Sequence, residues 1–411
     1  MDSTSLSARI ARGTPEFRRT NLALFAAGWA TFALVYAEQP LMPAFAADFH
    51  VGAAASSLAV SATTGVLAVM LLVAGSLSEA FGRKGIMTLS LLLSAALTVA
   101  VAFSPNFTTL VVIRAVIGLA IAGIPSVAMA YLSEEIEPTS LGYAMGLYIG
   151  GSALGGMSGR FLTALIADVS SWRVGVGVIG VMGLACSAIF WRALPPSRHF
   201  MARPMRPGAL VMSFANHFRD GGLPWLFVMG FLLMGSFVTL YNYITFRLIQ
   251  PPFNLDQTMI GTLFTVYILG TVASTWGGRL ADIFGRRRVL WLAIIVVIAG
   301  LAMTYAAHLP VIVGGVAVVT IGFFAAHSVA SSWVGRRALV ARGQATSLYL
   351  FSYYLGSSVV GSLSGYIWSY AGWPGIAAEL IAMQLLALLI AMRLAFLKPL
   401  PIPETPSLPQ G

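Results

Sequence analysis

The sequence has few charged residues and a single cysteine. Asp, Glu, Lys and Arg together make up 9% of its 411 residues, whereas soluble domains average about a quarter. The lone cysteine, Cys186, excludes an intrachain disulfide. We find no nucleotide-binding loop, no metal-ligand spacing and no nucleophile elbow in the sequence. These absences exclude an ordinary soluble domain and disfavour an enzyme, and we expect neither a cofactor nor a bound metal.

Long apolar segments make up most of the chain. Hydrophobic residues account for 58% of it and the mean hydropathy is +0.85. Twelve segments are long enough to cross about 30 Å of hydrocarbon as helices. They lie at 21–46, 54–76, 86–103, 107–131, 141–169, 173–194, 223–248, 260–279, 289–307, 310–334, 345–370 and 374–396. We therefore predict an all-α membrane protein with twelve transmembrane helices, and a lipid bilayer as its surroundings.

Two similar loops divide the chain into related halves. The loops at 75–84 and 278–288 lie 203 residues apart, and each ends one apolar segment and begins the next. Helices five and eleven share a series of small residues at an offset of 206. Both repeats indicate a duplication, so we predict two pseudo-symmetric six-helix bundles. The predicted domains are a tail at 1–20, a bundle at 21–194, a linker at 195–222, a bundle at 223–396 and a tail at 397–411.

The distribution of Lys and Arg predicts the orientation. Of the 24 basic residues, all but Arg114, Arg160, Arg173 and Arg247 fall on one side when both termini share that side. Basic loops stay in the cytoplasm, so we predict cytoplasmic termini, tails and linker. Membrane orientation thus accounts for the net charge of +10 without a nucleic-acid partner. The polar N-terminus has no small-residue cleavage site, so we predict no removable signal peptide.

The paired loops carry a resemblance to the major facilitator superfamily. Loop 278–288 matches every position of the superfamily's signature loop, G-x-L-a-D-r-x-G-r-r/k. Loop 75–84 departs from it at Glu79 and Ala80, where the pattern has Asp and Arg.

Three further motifs extend the resemblance to the helices. Residues 151–156 in helix five resemble the antiporter motif G-P-x-x-G-G, with Ser152 in place of Pro. Residues 114–118 in helix four resemble R-x-x-q-G, and residues 40–43 in helix one resemble P-x-x-P. The overall resemblance is to bacterial twelve-helix drug:proton antiporters of the inner membrane.

The resemblance implies secondary transport by alternating access, in which two bundles rock about a central cavity. It implies proton-coupled efflux of small organic molecules, with the substrate and protons as partners, and we expect a monomer. An uptake symporter on the same fold is the alternative. A membrane sensor of transporter ancestry is disfavoured, because the tails are too short for a soluble output module.

The resemblance also implies a conformational latch at the two loops. Its residues are Gly75, Glu79, Gly82, Arg83, Gly278, Asp282, Gly285 and Arg286. In the superfamily the loop acid lies against the N-terminus of a helix in the other half, where the helix dipole favours an anion. For Glu79 this is helix eleven near Ala345, and for Asp282 it is helix five near Thr139. The alternative is a local ion pair.

Three charges inside the membrane predict the proton-coupling site. Each costs about 2.5–3.5 kcal/mol at a helix centre, and Glu38, Arg114 and Arg160 share a depth of roughly 10–14 Å below the outer surface. Glu38 can exchange a proton, whereas Arg114 keeps its charge and acts as a fixed cation beside it. The structural alternatives are a solvated vestibule carboxylate for Glu38, an ion pair for Arg114 and helix packing against Gly156 for Arg160. Counted together, these charges predict a preference for neutral or anionic substrates over multiply charged cations.

The other candidate residues are aromatic, polar or small. Aromatic and amide groups suit an amphipathic organic substrate, and we predict substrate contacts for Tyr241, Asn242, His327, Tyr349 and Tyr353. The alternatives are interfacial aromatics and a packing histidine. Small residues four apart allow close approach of helices, which predicts packing roles for Gly150, Gly155, Gly159, Gly356, Gly361 and Gly365.

Overall fold

The computed structural model describes residues 9–200 and 207–397. Within these ranges the surroundings of some residues, Gly75 and Glu79 among them, lie outside the described part. The described residues form helices and no strand. The spanning helices are α1 (Pro15–Tyr36), α2 (Leu58–Phe81), α3 (Arg83–Val101), α4 (Phe107–Ile121, continued by Pro125–Glu135), α5 (Pro138–Val169), α6 (Trp172–Ala193), α7 (Leu223–Leu248), α8 (Gln257–Leu263, continued by Tyr267–Phe284), α9 (Arg286–Met303), α10 (Leu309–Arg337), α11 (342–371) and α12 (373–395).

The prediction of an all-α protein with twelve spanning helices is confirmed. By length and composition, seven continuous helical segments of the described residues can cross a membrane, and α2 and α4 contribute shorter apolar stretches. The helices α5 and α9 complete the twelve. One of the seven, Arg342–Ala395, comprises α11 and α12, because Gly372 breaks it with a φ of 55°. The division into tails, bundles and linker stays a prediction. The predicted linker, 195–222, contains a helix at Pro207–His217. Residues 201–206 of this linker lie outside the described part.

Side-chain caps and two glycines set the helix ends. The Asn106 side chain accepts a hydrogen bond from the backbone N–H of Thr109 at 2.9 Å, which starts α4. Asp256 starts α8 in the same way, with its side chain 2.7 Å from the N–H of Met259. Gly82 and Gly285 separate α2 from α3 and α8 from α9 with φ values of 92° and 87°. Glycine adopts this left-handed backbone at little cost, so the short connections of the two predicted loops require it.

The first spanning segment loses its α-helical form before it ends. α1 stops at Tyr36, a 3₁₀ turn follows at Gln39–Leu41, and a short helix continues at Met42–Asp48. Pro40 and Pro43 lack backbone N–H donors and interrupt the hydrogen-bond ladder here. Its counterpart α7 is unbroken. Glu38 therefore lies in a non-α segment of the N-terminal half, immediately before the 3₁₀ turn.

The two halves repeat the same helix pairings. α1 packs on α5 and α2 on α4 in the N-terminal half, while α7 packs on α11 and α8 on α10 in the C-terminal half. The halves meet where α2 contacts α11 and where α5 contacts α8. We call the end that carries Arg83 and Arg286 the basic end, and the other the opposite end.

Four of the six glycines predicted to pack are in very close helix contacts. An added Cβ at Gly155 would lie 2.0 Å from the carbonyl oxygen of Trp29 in α1, and one at Gly356 would lie 2.2 Å from that of Phe231 in α7. Gly159 similarly meets Ala33 of α1. Gly365 meets Ala54 of the other half.

The remaining two predicted glycines have different surroundings. Among the described residues, nothing lies within 4 Å of a Cβ added at Gly150, so the close-packing prediction has no neighbour to support it there. A Cβ added at Gly361 would lie 3.2 Å from the side-chain nitrogen of Asn242 and 3.5 Å from the hydroxyl of Ser61. Gly361 therefore makes room for polar groups rather than for a helix backbone.

Candidate functional site

Glu38 and Arg114 form a buried ion pair. Nη1 of Arg114 donates to Oε1 of Glu38 at 2.9 Å, and both side chains are 0% exposed. Oε2 of Glu38 has no hydrogen-bond partner in the described part of the chain. The structure thus brings together two of the three residues predicted for proton coupling, and leaves one carboxylate oxygen available.

Arg114 also holds two helix ends in place. Its guanidinium donates to the carbonyl oxygens of Leu34 at 2.8 Å, Val35 at 2.6 Å and Ala59 at 2.7 Å. The carbonyls at 34 and 35 are available because α1 ends at Tyr36 and the last carbonyls of a helix lack partners within it. Arg114 therefore fixes the end of α1 against the start of α2, in addition to its pairing with Glu38.

Arg160 lies between the two halves. Its Nε donates to Oε1 of Gln39 at 2.6 Å, and its Nη1 donates to the carbonyl oxygen of Gly156. Its guanidinium carbon lies 4.3 Å from the ring centre of Tyr36 in α1, and 4.8 Å from that of Tyr267 in α8. These distances are typical of cation–π contacts. Arg160 thus joins the Glu38–Arg114 pair only indirectly, through Gln39, the residue after Glu38.

A side-chain hydrogen bond joins the halves at the level of Glu38. Nε2 of Gln39 donates to Oδ1 of Asn242 in α7 at 2.8 Å, and both residues are 0% exposed. Asn242 is among the residues predicted from the sequence, whereas Gln39 and Tyr36 are not. A signal for Gln39 was present, since the 203-residue offset of the two loops relates Gln39 to Asn242. We call Arg160, Gln39 and Asn242 the amide bridge.

The counterparts of the ion pair in the C-terminal half are neutral. The offsets of 203 and 206 residues relate Glu38 to Tyr241 and Arg114 to Thr320. The hydroxyls of Tyr241 and Thr320 lie 2.9 Å apart and are hydrogen-bonded. The contact is therefore kept in both halves, but it carries charge only in the N-terminal half.

The predicted substrate residues fall into two groups. Tyr241 and Asn242 are fully buried where the halves meet. His327 and Tyr349 are joined by a hydrogen bond of 2.9 Å between Nδ1 and the phenol oxygen. The Tyr353 ring lies 4.6 Å from the His327 ring, and both are half-buried. The second group is thus a connected aromatic cluster on the C-terminal half.

The described side-chain hydrogen bonds between the halves lie toward the opposite end. The Ser358 hydroxyl in α11 donates to the carbonyl oxygen of Ser61 in α2 at 2.8 Å. The Thr258 hydroxyl in α8 donates to Asp168 of α5 at 2.7 Å. Gln257 donates to the carbonyl oxygen of Pro40 at 2.7 Å. We call these contacts, together with the amide bridge, the seal.

The basic loops make contacts within their own halves. Asp282 pairs with Arg286 at 3.0 Å and lies 3.7 Å from Arg336, and its side chain is 64% exposed. Arg83 pairs with Glu134 of α4 at 2.7 Å. The predicted contact of Asp282 with α5 is absent from this conformation among the described residues, and the local ion pair is present instead. For Glu79, the predicted contact lies outside the described side chains.

Comparisons with known proteins identify the family. The family model of the Major Facilitator Superfamily matches residues 22–251 and 226–410. The chain is 49% identical to "Uncharacterized MFS-type transporter YybF" of Bacillus subtilis over 94% of this chain and 96% of that one. It is 46% identical to "Inner membrane transport protein YnfM" of Escherichia coli over 94% of this chain and 92% of that one.

A solved structure shows the same fold. The bacterial homolog of the human lysosomal transporter Spinster, in an inward-facing and occupied conformation, matches with a TM-score of 0.76 at 13% identity. The match covers 93% of this chain and 97% of that one. The twelve helices, the repeated pairings and the family match agree. The chain belongs to the major facilitator superfamily and is a multi-pass membrane transporter rather than an enzyme.

Proposed function

We propose that this transporter exports small organic molecules from the cytoplasm in exchange for protons, by alternating access across the inner membrane. The observation that supports this most is the buried Glu38–Arg114 pair, with Oε2 of Glu38 unpartnered. Buried ion pairs contribute little to stability because desolvation offsets their attraction. Ionisable groups at such depth are therefore candidates for function by default.

The position of Glu38 provides a route from proton binding to movement. Protonation removes the charge attraction to Arg114, which stays fixed by three carbonyl oxygens. Glu38 directly precedes the 3₁₀ turn that carries Gln39, and Gln39 holds Asn242 of the other half. The protonation state of Glu38 therefore acts on this turn, and through it on the amide bridge between the halves.

The orientation and the conformational state are part of the proposal. The positive-inside rule places the basic end in the cytoplasm, and the seal then closes the periplasmic side. The exposed, locally paired Asp282 is consistent with an open cytoplasmic side. We therefore propose that the structure represents an inward-facing state of a monomer with cytoplasmic termini.

Transport into everted membrane vesicles tests coupling and direction together. We expect an exported compound to accumulate in vesicles whose interior is acidic, and a protonophore to abolish the accumulation. Vesicles without the transporter are the control. Accumulation that persists in the presence of the protonophore contradicts proton coupling. Gradient-driven depletion of preloaded compound would instead indicate an uptake symporter.

The latch gives a prediction about the conformational balance. Asp282→Asn should shift the protein toward inward-facing states, because a neutral amide gains less than a carboxylate at the N-terminus of α5. The helix-dipole contribution is about 0.3–1 kcal/mol, and about 2 kcal/mol when partly buried. A free-energy change of this size shifts a balanced equilibrium between inward- and outward-facing states by a factor of roughly two to thirty. Labelling of Ser358→Cys, on a background lacking Cys186, by an impermeant maleimide outside intact cells should fall accordingly.

The charge-conserving variant Asp282→Glu serves as the matched control and should label like the parent. If Asp282→Asn labels as fast as the parent, the acid organises only its own loop through Arg286.

A further inference from the structure

We propose that Arg160 binds the anionic group of the substrate, and that the transported molecules are flat aromatic organic acids. This inference rests on the proposed function, since it names the substrate class of the same transporter. It depends on three features of the described structure: the counter-ions of the buried arginines, the free edge of the Arg160 guanidinium, and the aromatic rings around it.

The first feature is charge. Three arginines in the described part of the chain are buried: Arg83, Arg114 and Arg160. Arg83 pairs with Glu134, and Arg114 pairs with Glu38. Arg160 pairs with no carboxylate in the described residues, and its hydrogen-bond acceptors are neutral carbonyl oxygens. A buried cation without a counter-ion is costly in a membrane protein, so a ligand that supplies an anion is favoured there.

The second feature is the geometry of the guanidinium. Nη1 donates to the carbonyl oxygen of Gly156 in the same helix, and Nε donates to Oε1 of Gln39. Nη2 has no hydrogen-bond partner among the described residues. Nε and Nη2 form one edge of the planar group, and a carboxylate can accept from both at once. A carboxylate is a stronger acceptor than the Gln39 amide oxygen, so it would displace that oxygen from Nε.

The third feature is the aromatic surroundings. Tyr36 of the N-terminal half and Tyr267 of the C-terminal half both lie within 5 Å of the guanidinium carbon, measured to their ring centres. From Tyr267 the rings continue through Phe324 at 5.9 Å, and Phe324 lies 5.3 Å from Phe323. Flat ligands stack well on such surfaces. We call the rings of Tyr36, Tyr267, Phe324 and Phe323 the aromatic wall. This wall favours an aromatic ring next to the carboxylate.

The same wall reaches the predicted substrate cluster. Phe323 stacks with His327 at 5.9 Å, and His327 lies 4.6 Å from Tyr353. Phe324, His327 and Tyr353 are the half-buried members of this series. A planar acid can thus place its carboxylate at Arg160 and its ring along the C-terminal half.

Ligand binding at Arg160 would also act on the seal. Oε1 of Gln39 accepts from Arg160 while Nε2 of the same amide donates to Asn242. A carboxylate that displaces Oε1 leaves the Gln39 amide free to rotate, so the bond to Asn242 loses its support. The ligand then binds the state with a released amide bridge more tightly, and shifts the population toward it.

The test uses three probes that share a ring system and differ in charge. 2-Naphthoate is an anion, 2-naphthamide is neutral and 2-naphthamidine is a cation. Binding to the purified full-length protein in lipid nanodiscs is measured by calorimetry. We expect 2-naphthoate to bind at least about tenfold more tightly than either analogue, as for hydrogen bonds to a charged group. Arg160→Gln should remove this preference.

Two further variants serve as a control for the Arg160 substitution and as a test of the displacement of Gln39. Arg192→Gln changes an exposed arginine at the end of α6 and should leave the affinity for 2-naphthoate unchanged. Gln39→Leu removes the competing acceptor and should bind 2-naphthoate at least as tightly as the parent. Weaker binding by Gln39→Leu would contradict the displacement step.

Equal affinity for the three probes overturns the proposal, and so does a 2-naphthoate preference that survives Arg160→Gln. The comparison of probes on the unchanged protein needs no variant, so it remains decisive if Arg160→Gln does not fold. Binding in nanodiscs requires no pH gradient. A failure of proton coupling in vesicles therefore leaves this result standing, and a failure here leaves the vesicle result standing.

Discussion

Glu38→Gln is expected to abolish substrate-induced proton release while the protein still reaches the membrane. The amide keeps the shape of the side chain and can accept from Nη1 of Arg114, but it has no proton to exchange. Arg114 keeps its bonds to three carbonyl oxygens, so we expect normal expression. The measurement is the pH change on addition of substrate to proteoliposomes that contain a pH-sensitive dye.

A half-buried carboxyl in the other half provides the control. Glu379 in α12 accepts a hydrogen bond from Ser364 at 2.9 Å and lies in the C-terminal half. Glu379→Gln should retain proton release, because no arginine or cross-half contact of the described site depends on it. Full proton release by Glu38→Gln would show that the coupling carboxyl is another one.

Gly155→Ala is expected to disrupt the N-terminal half, whereas Gly150→Ala should be tolerated. A Cβ at Gly155 would lie 2.0 Å from the carbonyl oxygen of Trp29, and that oxygen belongs to a helix backbone. α5 and α1 would have to separate, and overpacking typically costs about 1–3 kcal/mol or more. At Gly150 nothing lies within 4 Å in the described structure, so the helix propensity of Ala should stabilise by about 0.5–1 kcal/mol.

The two glycine variants are compared by thermal unfolding in detergent and by the fraction that elutes as a single species. The two predicted changes in stability have opposite signs, so a general effect of replacing Gly by Ala cannot account for both. The counterpart Gly356→Ala should resemble Gly155→Ala, since its Cβ would meet the Phe231 carbonyl oxygen at 2.2 Å. Equal stability of Gly155→Ala and Gly150→Ala would mean that this helix contact relaxes freely.

The spanning helices could be predicted because the hydrocarbon core imposes both length and apolarity on each of them. The pairing of Glu38 with Arg114 could be anticipated from their shared depth, since buried opposite charges at one depth attract each other strongly. The three carbonyl partners of Arg114 could not, because they depend on where α1 ends. That end is set by the local break before Pro40.

Other features are not encoded in residue type alone. Gln39 is an ordinary residue beside a conspicuous Glu38, and its importance comes from a neighbour in the other half. The spacing of small residues does not reveal which glycine faces a helix, as Gly150 and Gly155 illustrate. The local pairing of Asp282 belongs to one conformation of the transporter, and one sequence serves every conformation of the cycle.

The replacement of the ion pair by Tyr241 and Thr320 in the C-terminal half has an energetic consequence. With one titratable carboxyl at this level of the described chain, each cycle of the proposed exchange would carry one proton. Inward movement of a proton and outward movement of a monoanion both carry positive charge inward. Each elementary charge gains about 2.3 kcal/mol per 100 mV of membrane potential. Such an exchange would be electrogenic, and the voltage would drive it even where the pH is equal on both sides.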